Sequence, residues 1–283
     1  MRSDGTFNIY RYTRLGRSLG LGNPQHRLAL VGASVAGLIG LAVEWTFRGQ
    51  PDVVSAFLVG VSAFLAWALG RELDPDREVT ALWSLVLAVP LAIWERPSAI
   101  MITIALIGLR VLIGTVGHGL RPIDHLAIIA GAGYAGMSPE GWMIVLLLVV
   151  GLLASRERLY IATSIGAIGA AVLSALLLGE HEVAGSDSPA ALVGWAAVVL
   201  VAAGLSTRVM SVSSTTDVGN VRISLSRLRL GRGISGLVIV GALLLSPTHP
   251  GAVLGPWLAA LVATALFASF GRTARNQKIG PNS

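Results

Sequence analysis

Six charged residues crowd one short stretch of the chain: Arg71, Glu72, Asp74, Asp76, Arg77 and Glu78. The carboxylates of Asp74 and Asp76 could hold Mg²⁺ on a diphosphate, as in acidic membrane transferases. The guanidinium groups of Arg71 and Arg77 could then pair with the phosphates. This chemistry would suit a membrane-embedded transferase.

A structural interpretation accounts for the same residues. Asp74 would cap the next helix, Pro75 would begin it, and the acidic groups that follow would meet the positive end of its dipole. Arg71 and Arg77 would then anchor the loop at the lipid headgroups. We favour this interpretation because the spacing matches no established metal-binding motif.

A second group of residues lies in the hairpin between the fourth and fifth apolar segments: Arg110, His118, Arg121, Asp124 and His125. Arg110 stands within an apolar segment, about 10 Å from its predicted end. A guanidinium at that depth must pair or mark a functional site. Asp124 is its nearest acidic partner in sequence, so one hypothesis is a structural Arg110–Asp124 pair. The other is an anion or headgroup site with the two histidines at its mouth, and both hypotheses stay open.

The composition indicates what must position these residues. Of the 283 residues, 54% are hydrophobic and only 13% are charged, whereas about 25% of the residues in a soluble domain are charged. So much apolar surface requires a bilayer. The absence of cysteine excludes disulfides, thiolate metal sites and cysteine nucleophiles. The sequence predicts no catalytic residue, no metal and no cofactor.

A transmembrane helix needs about 20 apolar residues, and ten segments qualify or nearly do. We predict spans at 28–47, 52–70, 77–94, 98–117, 122–137, 139–155, 159–178, 189–210, 233–247 and 251–270. The fold class is therefore all-α: a single transmembrane bundle over residues 28–270, preceded by a basic segment, 1–27, and followed by a tail, 271–283. The fifth, sixth and ninth segments are short or poorly separated.

The basic residues predict the orientation. With the N-terminus in the cytoplasm, the inner loops and ends hold 18 Lys and Arg residues and the outer loops hold only Arg48 and Arg96. Both termini are then cytoplasmic in the cell membrane. The net charge of +6 faces anionic inner-leaflet lipids, so nucleic acid is not an expected partner.

Two basic segments, 7–21 and 219–232, also contain apolar residues. Each is either a helix lying at the membrane surface or a solvated loop. The fifth and seventh spans are rich in small residues, which let helices pack closely; a static interface and a sliding surface are both compatible with this composition.

The expected function is a small-solute transporter, because ten spans in this length resemble the dimensions of the drug/metabolite transporter group. The first alternative is a non-catalytic subunit or assembly factor, which would bind partner subunits or form a homo-oligomer. The second alternative is an enzyme acting on a lipid-linked phosphate at the cytoplasmic face. A non-enzymatic function is favoured.

Overall fold

The structure is a computed structural model of the chain. It describes residues 13–16, 19–95, 97–115, 119–154, 158–178, 189–209, 211–216, 221–245 and 251–277. Several positions named above lie outside these ranges, among them Arg96, His118 and the last six residues of the tail. Residues 1–12, 17 and 18 of the basic N-terminal segment and residues 219 and 220 also lie outside them, as does the predicted outer loop 179–188 between the seventh and eighth spans.

The described residues form ten helices, so the all-helical prediction is confirmed. They are α1 Pro24–Arg48, α2 Val53–Leu73, α3 Glu78–Glu95, α4 Ala99–Ile113, α5 Pro122–Ala135, α6 Gly141–Leu153, α7 Arg158–Leu178, α8 Pro189–Ser206, α9 Leu225–Leu245 and α10 Gly251–Gln277. Each helix overlaps one predicted apolar segment.

Four of the helices are long and apolar enough to cross a membrane: Pro24–Phe47, Val53–Leu73, Arg158–Leu178 and Leu225–Leu245. Many large apolar side chains on them are exposed, such as Leu38 on α1 and Leu173 on α7. Such faces suit lipid contact and support a membrane protein. The helices α5 and α6 are only 14 and 13 residues long, or about 20 Å each.

Helix starts follow local chemistry. Asn23 caps α1 by accepting a hydrogen bond from the Gln25 amide at 2.9 Å, as predicted for that residue type before Pro24. The helix α4 ends at Ile113 because Gly114 adopts the left-handed conformation, with a φ of 76°. Gly49 ends α1 in the same way, with a φ of 71°. Arg110 therefore lies in the last turn of α4, about 5 Å from its end, and not about 10 Å within it as predicted.

The helix α9 extends beyond the predicted ninth span. It begins at Leu225, eight residues before the predicted span. The second part of the basic segment 219–232 is therefore the start of a packed helix and neither a surface helix nor a loop. Leu228 and Arg232 are each only 1% exposed, because this turn lies among the ends of other helices.

Close packing joins α5 and α7, the helices rich in small residues. A Cβ atom placed on Gly136, directly after α5, would lie 2.6 Å from the Cα atom of Ala171 on α7. Only glycine allows this approach. Other extensive contacts join α10 with α3, α1 with α2, α2 with α3, and α4 with α6.

Candidate functional site

Arg110 faces the interior of the bundle, as predicted. The residue is 9% exposed, and its Nε atom donates to Oε1 of Glu72 at 2.9 Å. Glu72 lies in the last turn of α2 and is fully buried. The guanidinium also donates through Nη1 to the backbone carbonyl of Leu15. Arg110 thus ties α4 to α2 and to the segment that precedes α1.

The predicted Arg110–Asp124 pair is wrong. Asp124 is the third residue of α5, and its Oδ2 atom accepts from the Arg121 amide at 2.8 Å, which satisfies the start of its own helix. The same carboxylate accepts from the Thr13 hydroxyl and, at 2.9 Å, from the Arg14 amide. The segment 13–16 bonds to both Arg110 and Asp124, and each charge bonds to a different part of it.

His125 also departs from the predicted site. The side chain is 6% exposed, and its Nδ1 atom lies 2.6 Å from the hydroxyl of Thr163 on α7. Since that hydroxyl donates to the Leu159 carbonyl, Nδ1 carries the proton and donates. The ring also packs on Tyr160, 5.3 Å between centroids. His125 therefore joins α5 to α7.

Arg121 precedes α5 and is half-buried. Its Nε atom has no hydrogen-bond partner among the residues that the structure describes. Of the five predicted residues, Arg110 and Asp124 are brought to the same segment, and His125 and Arg121 are not.

Asp74 does not cap α3 as predicted. Its Oδ2 atom accepts from the Thr80 hydroxyl at 2.9 Å, and its Oδ1 atom from Nη2 of Arg232 at 3.3 Å. The reason is that Asp74 ends α2, while α3 begins only at Glu78. Burial raises the pKa of the Asp74 carboxyl above its ordinary value, against the opposing effects of Arg232 and Thr80.

Asp76 holds a distant loop instead of meeting the dipole of α3. The carboxylate accepts from the amides of Ser213 and Ser214, at 3.0 and 2.7 Å, and from the Ser214 hydroxyl at 2.5 Å. Partial burial alone would raise the pKa of Asp76, but these hydrogen bonds outweigh it and lower the pKa below its ordinary value.

The basic residues of this stretch bind protein groups. Arg71 donates to Nε2 of His26 at 2.9 Å, and its guanidinium lies 5.2 Å from the ring centroid of Trp67. Arg77 donates to the Phe267 carbonyl in α10. Glu78 is the first residue of α3, where its charge suits the helix dipole.

Sequence reasoning missed the arginines at the start of α9. Arg232 donates to the carbonyls of Leu73 and Ser206, each at 2.6 Å. Arg227 donates to the Leu112 carbonyl at 2.9 Å and the Val111 carbonyl at 3.2 Å. These carbonyls stand at the C-terminal ends of α2, α8 and α4, where unpaired acceptors and the negative dipole end favour a cation.

The approach of Arg227 depends on Gly114. A Cβ atom there would lie 2.8 Å from Nη1 of Arg227, so a side chain would displace the guanidinium. The detectable signal was a group of arginines directly before an apolar run, including Arg227 and Arg232, which we interpreted as an orientation signal and as part of a surface helix or a solvated loop.

These contacts bring one set of helix ends together. The C-terminal ends of α2, α4 and α8 meet the N-terminal ends of α5 and α9 and the segment 13–16, and we call this the charged end of the bundle. Its carboxylates engage separate partners: Glu72 binds Arg110, Asp74 binds Arg232, and Asp76 binds the 213–214 amides. Among the residues that the structure describes, no three His, Asp or Glu side chains group as ligands of one metal ion.

No protein-family model, no curated protein and no solved structure matches this chain.

Proposed function

We propose that this chain is a multi-pass protein of the cell membrane, with both termini in the cytoplasm, that transports a small solute. One observation carries the proposal: Arg110 and Asp124 bind residues 13–15, which belong to no helix. Side chains that hold a non-helical segment can exchange it for a ligand of the same chemistry. Charged groups facing the interior of a membrane bundle are also where transport sites are found.

The contacts suggest the class of solute. Arg110 binds a carbonyl oxygen, and a carboxylate would bind the same guanidinium more strongly because both groups are charged. Asp124 accepts from an amide and a hydroxyl, and an ammonium group would replace both donors. A zwitterion, such as a free amino acid, provides these two groups in one small molecule.

Glu72 has a positioning role in this proposal. It is fully buried and bonded to Arg110, so it keeps the guanidinium oriented after the segment 13–16 leaves. Departure of the segment would remove the Thr13 and Arg14 donors from the buried Asp124 carboxylate. Because a buried acceptor that loses its donors is costly, the segment should leave only as the solute enters. Solute binding and displacement of the segment are then coupled.

The test is uptake of radiolabelled amino acids and of neutral sugars into liposomes containing the purified chain. We expect amino-acid uptake that is lost in Asp124→Asn. The matched control is Asp76→Asn, which removes a carboxylate at the same charged end that binds a different loop. Uptake that is equal in both variants and in the parent, or absent for every zwitterion, would reject the proposal.

A second candidate is a non-catalytic subunit or assembly factor of a membrane complex. This candidate is favoured because these charged groups bind other parts of the same chain. Arg227 and Arg232 bind helix ends, and Asp74 and Asp76 bind neighbouring segments. Gentle extraction from native membranes would then yield the chain with a partner in fixed stoichiometry. An enzyme acting on a lipid-linked phosphate has less support, since the carboxylates of 71–78 engage separate partners.

A further inference from the structure

A lateral cavity of about 540 Å³ lies between α1 and α2. Leu30 and Leu41 mark its extent along α1, and Leu19 and Thr103 close two of its sides. At 1.5 Å per residue, the stretch from Leu30 to Leu41 covers about 16 Å. That length is comparable to one leaflet of the hydrocarbon core, about 15 Å.

The two hydroxyl side chains in the wall of this cavity have no proton to donate to a ligand, because each already donates to a backbone carbonyl. Ser34 donates to the Leu30 carbonyl at 2.9 Å, and Thr103 donates to the Ala99 carbonyl at 2.8 Å. The other lining side chains are apolar, and most are aliphatic. Since both enclosing helices are candidate membrane spans, the occupant that suits this wall is a hydrocarbon chain.

A cationic and aromatic cluster adjoins one end of the cavity. His26 lies one turn before Leu30 on α1, and its Nδ1 atom is 3.2 Å from the carbonyl of Gly20, the neighbour of Leu19. Arg71 can only donate, so Nε2 of His26 accepts its hydrogen bond, and Nδ1 carries the proton.

The cluster is continuous with the cavity wall through α2. Phe64 lines the cavity, and its ring packs on Trp67 at 5.4 Å between centroids. Trp67 in turn contacts the guanidinium of Arg71 and, edge-on, the ring of His26. Arg71 lies in the last turn of α2, and arginine at the end of a span is typical of the headgroup level.

Among the residues that the structure describes, Arg71 and Arg27 give this end a positive charge. Glu72, the carboxylate next to Arg71, is directed to Arg110. Arg27, the neighbour of His26, is exposed and adds a second cation. A phosphate group would therefore find an attractive field here, and a guanidinium is well suited to bind it.

We propose that the α1–α2 cavity binds one acyl chain of an anionic phospholipid, whose phosphate lies at Arg71. The site is separate from the segment 13–16 and from Asp124, so it does not depend on the proposed transport of a solute. The bound lipid would stabilise the pairing of α1 with α2.

The test measures thermal unfolding of the full chain, purified in detergent, with added phosphatidylglycerol or phosphatidylcholine. We expect phosphatidylglycerol to raise the Tm by roughly 5 °C at a hundredfold excess over its Kd, and phosphatidylcholine to raise it less. Arg71→Gln should remove the difference between the two lipids.

Ser34→Phe places a ring in the cavity and should abolish stabilisation by either lipid. Its control is Val35→Phe on the same helix, since Val35 is 48% exposed and does not line the cavity. Native mass spectrometry of the same samples counts retained lipids, so it reports on binding even if a variant is less stable. The proposal is overturned if Ser34→Phe and Val35→Phe retain lipid equally, if the parent does not prefer phosphatidylglycerol, or if the cavity is covered by a second copy of the chain.

Discussion

Arg110 pairs with Glu72, 38 residues earlier in the chain, at 2.9 Å between Nε and Oε1. Both side chains are almost completely removed from solvent, at 10% and 0% exposure. The pair joins the last turns of α4 and α2, and it shares the guanidinium with the Leu15 carbonyl. One arginine therefore ties two helix ends to the segment 13–16, which Asp124 holds at Thr13 and Arg14.

Breaking this pair should be costly. We expect Arg110→Leu to lower the free energy of unfolding by about 3–5 kcal/mol, because Glu72 would remain buried and charged. Adding Glu72→Leu should recover most of the loss, since replacing both members of a buried pair is often neutral. Chemical unfolding in mixed micelles measures both changes. The control is Arg110→Leu combined with Asp124→Leu, which should recover none of the lost unfolding free energy. Recovery in this control would support the Arg110–Asp124 pair that the sequence suggested.

Arg232 should contribute more to stability than Arg229. Arg232 is buried and bonds to the ends of α2 and α8, whereas Arg229 is exposed and bonds to the Val209 carbonyl. We expect Arg232→Met to cost several kcal/mol, since two carbonyls and Asp74 lose their donor, and Arg229→Met to cost less than about 1 kcal/mol. Equal losses in the unfolding free energy would show that α9 is not held by these contacts.

The loop 211–216 should loosen in acid because of Asp76. The folded-state pKa of Asp76 is depressed by the Ser214 and Ser213 hydrogen bonds. Its contribution to stability is therefore present above the unfolded pKa, about 3.9, and is lost as the pH falls through the folded pKa. Hydrogen exchange at the Ser213 and Ser214 amides, corrected for the intrinsic rate, should become less protected across that interval.

The Thr216 amide provides an internal control for this titration. It donates to the Val221 carbonyl at 2.8 Å and not to Asp76. Asp76→Asn should remove the pH dependence at the two serines and leave Thr216 unchanged. A parallel loss of protection at Thr216 in the parent chain would indicate general acid unfolding.

The orientation is testable because the chain has no native cysteine. We expect a cysteine introduced at Ser186 to react with a membrane-impermeant maleimide from outside the cell, and one at Ser211 to react only after permeabilisation. The physical reason is the concentration of basic residues in the loops that we assign to the cytoplasm. The opposite labelling pattern would invert the topology, and external labelling of both would show an even number of spans between them instead of the single span that we predict.

The helices of this protein could be predicted from the sequence because their determinants are local. Apolar runs bounded by proline and capping residues, such as Asn23 before Pro24, define a helix without knowledge of its neighbours. The all-helical class and the approximate position of each of the ten described helices followed from this. The interior position of Arg110 followed too, since a charge in an apolar segment avoids lipid.

The partners of the charged side chains were decided only by the tertiary structure. Nearness in sequence suggested Asp124 for Arg110 and a capping role for Asp74, but Glu72 and Arg232 are the partners found. These pairs join residues 38 and 158 positions apart. Which helix ends meet depends on the packing of the whole bundle. The positions of charged residues along the sequence do not predict how the apolar faces pack. The early start of α9 has the same origin, because a basic turn becomes stable in a buried position only where the C-terminal ends of α2, α4 and α8 supply it with carbonyl acceptors.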